Sequence, residues 1–189
     1  MSSGALQFAS GTWAGPGRIG PLRLTAANST VRVAIRFLRV FTIHGSFGGV
    51  EGELTFDEAR PAATSLVARV PVASVHTGNR FRDAHLRSGA WFDAQQHGHI
   101  ELRAARAECT GRALRVVGAV SIKGRDAPVV MHCVTRSAGG IPVELIGRFT
   151  IPRAPYGVGP PPYGVAPWDP RAYLVDDDVN VELRLRLDQ

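Results

Sequence analysis

Lysine is almost missing from this chain: among its 22 basic side chains, Lys123 is the sole lysine and arginine supplies the rest. Cysteine is nearly as scarce, with Cys109 and Cys133 alone. They form no CxxC spacing and no histidines are set around them as ligands, which excludes a disulfide framework or structural zinc site and predicts two free thiols. Long apolar runs are missing too: no stretch reaches the roughly eighteen residues of a spanning helix. Met1 to Gly20 has neither a basic n-region nor an unbroken apolar h-region, so no signal peptide is expected and the expected compartment is the cytoplasm.

The fingerprints of common enzyme classes are absent as well. There is no GxSxG, and "HGSFGG", which carries His44 and Ser46 in tandem, reads as a glycine-rich turn or bulge between strands. Gly157-Val158-Gly159 runs into three prolines and cannot open the helix that a nucleotide-binding loop needs. His97-Gly98-His99, with His85 or Asp93, is the one metal candidate, and its spacing fixes neither geometry nor a third ligand. No catalytic residue, metal site or cofactor is therefore assigned. The net charge of +6 invites a nucleic-acid reading, but Arg32, Arg36, Arg69 and Arg115 are dispersed singly at outward strand positions and form no patch. No nucleic-acid partner is expected.

What the chain does have is alternation. In "STVRVAIRF" Val31, Val33, Ile35 and Phe37 share one face against Arg32 and Arg36, the mark of a half-buried antiparallel strand. "VEGELTF" repeats this with Leu54 and Phe56, and "SLVARV" with Leu66 and Val70. "HIELRA", "ALRVVGAVSI", "APVVMHCVT", "PVELIGRFTI" and "VNVELRLRL" follow, with inward candidates Ile100, Leu102, Val116, Val120, Val129, Met131, Leu145, Phe149, Val181 and Leu183. Eight or more strands without a long helix predict one all-β domain. Strand lengths of nine or ten residues, and inward sets mixing bulky with small residues, favour a barrel over a sandwich.

"NSTVRVAIRFL", "HGSFGGVEGELTFD", "SVHTGNRFRDAHLRSGAWFD", "VVGAVSIKGRDAPV", "GRFTIPRAPYGV" and "VDDDVNVELRLRL" stand in an order and spacing that resemble the YceI-like family, the polyisoprenoid-binding, lipocalin-like proteins, from about Leu22 to Leu187. The resemblance implies an extended antiparallel eight-stranded lipocalin-like barrel over residues 21–189, behind a flexible N-terminal extension at 1–20. It also implies an interior that holds a long isoprenoid or similar acyl chain, and no catalytic chemistry. Two places depart from the family's pattern. Thr25-Ala26-Ala27-Asn28-Ser29 replaces its usual Asp-Pro-Ala-His-Ser, and Phe37 replaces a histidine before Leu38, which makes that end more apolar.

The residues support binding on their own terms. Inward faces almost free of charge suit an apolar guest, and the eighteen inward residues named above from Val31 to Leu183 are the candidate lining. Burial is worth roughly 0.8 kcal/mol per CH₂, and micromolar affinity needs roughly 8 kcal/mol net of ordering costs, so a tail of about four isoprene units is the expected minimum. Asn79 is a good N-cap, Asp83 and Arg87 have the favourable i, i+4 spacing and Gly89 is a stop, so Asn79 to Ser88 is predicted to form a short helix near one barrel end, with Phe81, Ala84 and His85 on one side. Arg82 and His85 are candidates for the mouth. The proline-rich stretch from Pro152 to Asp178 is predicted to form a lid, with Tyr156, Tyr163 and Trp168 against the guest. The alternative is an interaction protein whose barrel is filled by its own side chains, as a monomer or a homodimer.

Overall fold

The computed structural model describes residues 18–57, 59–110, 113–138, 141–160 and 174–187. Tyr163 and Trp168 lie outside them. The elements run β1 (Arg18–Leu24), β2 (Ser29–Phe37), β3 (Phe41–Phe47), β4 (Glu51–Asp57), β5 (Ser65–Pro71), α1 (Arg80–Arg87), β6 (His99–Thr110), β7 (Ala113–Ile122), β8 (Arg125–Ala138), β9 (Ile141–Pro152) and β10 (Val175–Arg186). All ten strands belong to one antiparallel sheet in the order β1-β4-β5-β6-β7-β8-β9-β10-β2-β3. The expected all-β fold with one short helix is present, and β1 takes in the last residues of the expected N-terminal extension.

Ten strands appear in place of eight because the first long hairpin is bent. Leu24 faces Gly52 and Val31 faces Phe47, so the register runs on almost unbroken from the β1–β4 pair to the β2–β3 pair. The bends fall at 25–28, where Asn28 Oδ1 accepts from the Thr25 amide at 2.8 Å, and at 48–50, where Gly49 takes a left-handed φ of 68°. β3 thus leads into β4, and the sheet that leaves β4 through β5 comes back to it through β10, β2 and β3. It curls on itself as a barrel whose seam lies beside β3. There Ser46 pairs with His76 through backbone hydrogen bonds of 2.8 and 2.9 Å, and Ser74 Oγ accepts from the Gly48 amide and donates to its carbonyl. Leu38 and Arg39, both left-handed, close the β2–β3 tip in the backbone that the twist of a tight hairpin favours.

Side chains alternate as period two requires, and the inner face carries the core. Cys133, between Met131 and Thr135 on β8, is a free buried thiol in that core. Among the described residues no helix is long and apolar enough to cross a membrane.

Candidate functional site

The barrel interior is divided. The end built on β1 and β4 is packed solid, with a void of only about 20 Å³ between Leu54, Phe56, Leu66, Val116, Met131 and Leu145. The other end, built on β2 and β3, holds a cavity of about 680 Å³, within the usual range for lipid- and drug-sized ligands. Its walls are apolar side chains from β2, β3, β5, β6, β7, β9 and β10; the ionisable or hydroxyl side chains on them are Thr77, Arg82, His85 and Arg153.

Of the residues singled out in the sequence, Val31, Val33, Ile35, Phe37, Val70, Ile100, Leu102, Val120, Phe149, Val181 and Leu183 stand on the cavity wall. Leu54, Phe56, Leu66, Val116, Met131 and Leu145 do not; they fill the packed end, and Val129 is core beside them. The physical reason lies in two glycines. An added Cβ on Gly147 would come within 2.3 Å of Met131 Sδ, so Met131 occupies the space that this glycine leaves. At Gly118 it would come within 2.2 Å of the Arg103 carbonyl, next to the β6 bulge between Ala104 and Arg106, so the strands close in at this level.

The sequence reading missed part of the wall. Ile43, Gly45 and Phe47 line it from β3, because "HGSFGG" is strand up to Phe47 and turns only at Gly48 and Gly49. The alternation Phe41, Ile43, Gly45, Phe47 was the signal for it. Trp91 and Phe92 also line the cavity, from the loop after α1. Phe92 meets Phe47 edge to face at 5.9 Å, and no periodicity announces either residue.

Helix α1 covers the seam. Asn79 caps it, its Oδ1 accepting from the amides of Phe81 at 3.0 Å and Arg82 at 3.1 Å. The helix turns Arg82, His85 and Leu86 to the cavity and buries Asp83, whereas Phe81 is 75% exposed with the Arg80 guanidinium over its ring, which corrects the expected face at Phe81. Asp83 is buried and accepts from the Thr77 amide at 2.8 Å and hydroxyl at 2.5 Å. The Thr77 hydroxyl above all, with its amide, His76 and Arg87 adding to it, holds the Asp83 carboxyl below the usual carboxylate range. Arg87 is spent on the Val75 carbonyl at 2.9 Å rather than on the predicted contact with Asp83. Arg82 donates to Thr77 Oγ1 at 2.7 Å and to its carbonyl at 2.8 Å. These groups tie the helix to the strand-like segment at the seam while Arg82 still faces the cavity.

The roof comes from Val158, Gly159 and Pro160, with the Gly159 amide on the Ala90 carbonyl at 3.0 Å. Arg153, buried, fixes that segment. Its guanidinium donates to the carbonyls of Asp176, Val158, Pro160 and Val175, at 2.5 to 2.9 Å. Burial lowers its pKa from the ordinary arginine value, and Asp177 and Asp176 act in the opposite direction. Tyr156, expected against the guest, is instead 1% exposed in the core: a short 3-10 turn at Ala154–Tyr156, ended by left-handed Gly157, turns its ring away from the cavity. His97, His99 and Asp93 bring no third ligand together; among the described residues no group of three or more His, Cys, Asp or Glu side chains converges.

Residues 22–187 match the family model described as YceI-like domain. The chain belongs to the YceI-like family. A UPF0312 protein of Photorhabdus laumondii is 27% identical over 108 residues, 57% of this chain and 56% of that one. One of Vibrio cholerae is 27% identical over 117 residues, 61% and 62% of the two chains, so the match spans less than two thirds of these relatives' length. Two solved structures share this YceI-like fold. BcnA of Burkholderia cenocepacia has a TM-score of 0.71 at 21% identity, over 85% of this chain and 96% of that one. A polyisoprenoid binding domain from Saccharophagus degradans has a TM-score of 0.60 at 14% identity, over 87% and 95%.

Proposed function

We propose that this YceI-like chain binds a long-chain isoprenoid, such as a polyprenyl species or a quinone tail, and carries or sequesters it, acting as a binding protein rather than an enzyme. The observation that carries this reading is the cavity: about 680 Å³, walled by apolar side chains, with its few polar groups gathered at the end closed by α1 and residues 158–160. Such a site excludes a hydrophilic guest and suits a tail with one polar head. A structural neighbour is described as a polyisoprenoid binding domain, and that ligand chemistry fits this wall.

The cavity's length agrees with the energetics. Its wall on β10 runs from Val175 to Leu183. At about 3.3 Å per residue and a strand tilt of about 40°, that span is roughly 20 Å deep. An extended chain advances about 1.2 Å per skeletal bond, so about four isoprene units fill it, which is also the length at which burial outweighs ordering. The barrel filled by its own side chains describes only the β1–β4 end.

Native mass spectrometry of protein purified from its own host, followed by organic extraction, tests this. A stoichiometric long-chain isoprenoid supports the carrier reading and names the cargo. An empty protein that also refuses added polyprenols and quinones removes it and favours protein partners.

A further inference from the structure

The cavity and the small void lie in one barrel, and among the described residues Leu183 alone borders both. It stands opposite Gly147 on β9 and Val31 on β2. Beneath it, Met131, itself buried, fills the space beside Gly147 and backs the floor. On the cavity side Phe149 and Val120 complete it, both buried.

We propose that Leu183, backed by Met131, is a length stop: it ends the cavity partway down the barrel and sets the longest tail segment the protein takes in. This rests on the cavity being the tail site. A tail up to the stop gains affinity with every unit, because each new methylene leaves water; a longer one leaves its extra units in solvent at the mouth and gains nothing. Leu183→Ala joins the two voids and lowers the floor, whereas Ala68→Leu, on the β5 wall, raises it.

The test is a binding series of all-trans prenols from about two to about eight isoprene units, with straight-chain n-alkanols of matching length in parallel. In the native protein affinity should rise at least tenfold per unit to about four units and then level off. In Leu183→Ala the break should move about one unit longer, so that a prenol of about five units binds roughly tenfold tighter than to the native protein; in Ala68→Leu it should move shorter. If Leu183→Ala does not fold, the native curve and Ala68→Leu decide. An unbroken rise in the native protein, or one break common to all three proteins, overturns the length stop. A break in the alkanol series without prenol binding keeps the stop and removes the isoprenoid reading; refusal of both series removes both.

Discussion

Trp91 donates its indole N–H to Nε2 of His85 across 3.2 Å, and the two rings meet edge to face with centroids 5.7 Å apart. Both residues face the cavity, and Trp91 is also the surface on which the roof rests. A Cβ on Gly159, whose φ is already 75°, would stand 2.8 Å from the Trp91 ring.

Gly159→Ala should therefore push Trp91 inward or lift residues 158–160 off the loop at Ala90. Strain of this kind costs about 1–3 kcal/mol. The expected result is a modest drop in Tm together with roughly tenfold weaker binding of a prenol, and a changed Trp emission in the free protein. Unchanged affinity would show that the roof does not bound the ligand.

Asp83 makes a pH-dependent contribution whose sign is fixed. Its folded pKa lies below the ordinary carboxylate value, chiefly because the Thr77 hydroxyl donates to the charged form. The stability this carboxylate confers is complete above its unfolded pKa and is lost as pH falls through the lower folded one. Asp83→Asn should thus melt several degrees lower than the native protein near neutral pH, and should lose less further stability than it between about pH 5 and about pH 2. Parallel melting curves for the two proteins down to acid would falsify the role given to Asp83.

Cys133 should be inert while the barrel is folded. Burial pushes its thiol up to about 12, so almost none of it is thiolate near neutral pH. Alkylation followed by peptide mapping should leave Cys133 unlabelled in the native protein and fully labelled in denaturant. Rapid native labelling would mean that β8 opens far more often than its central place in the sheet implies.

The strands were legible because period two is a strong signal when one face is dry. Val31, Val33, Ile35 and Phe37 alternate with polar or small residues, and all four stand on the cavity wall. The same alternation placed Leu54 and Met131 on the inner face without telling an open cavity from a packed one. That distinction depends on which residues meet between neighbouring strands: Met131 on β8 fills the space beside Gly147 on β9, and Gly118 on β7 lets the strands close in near it, contacts that no pattern within a single strand records. Asn79 was readable as a cap because capping is local. The i, i+4 spacing suggests a contact of Asp83 with Arg87, but Thr77, six residues back and on the seam, takes the carboxylate and Arg87 turns to the Val75 carbonyl. So many prolines point to a loose lid with Tyr156 at the mouth, whereas Gly157 ends a tight turn that buries the ring.

Arg153 decides whether that turn and the roof hold together. One guanidinium joins four backbone carbonyls from residues 158–160 and 175–176, which belong to separate stretches of chain on either side of residues 161–173. Lysine cannot reproduce this, since an ammonium is a point donor on a flexible stem and lacks the planar fork. Arg153→Lys should leave two or more carbonyls without partners, at about 1–3 kcal/mol for each one that stays buried. The expected outcome is a clearly lowered Tm and, in the folded protein, faster protease cleavage between Arg153 and Leu174, with cleavage slowed again by a bound prenol. Native-like resistance in Arg153→Lys would mean that the contacts of Gly159 with Ala90 and Trp91 hold the roof without the guanidinium.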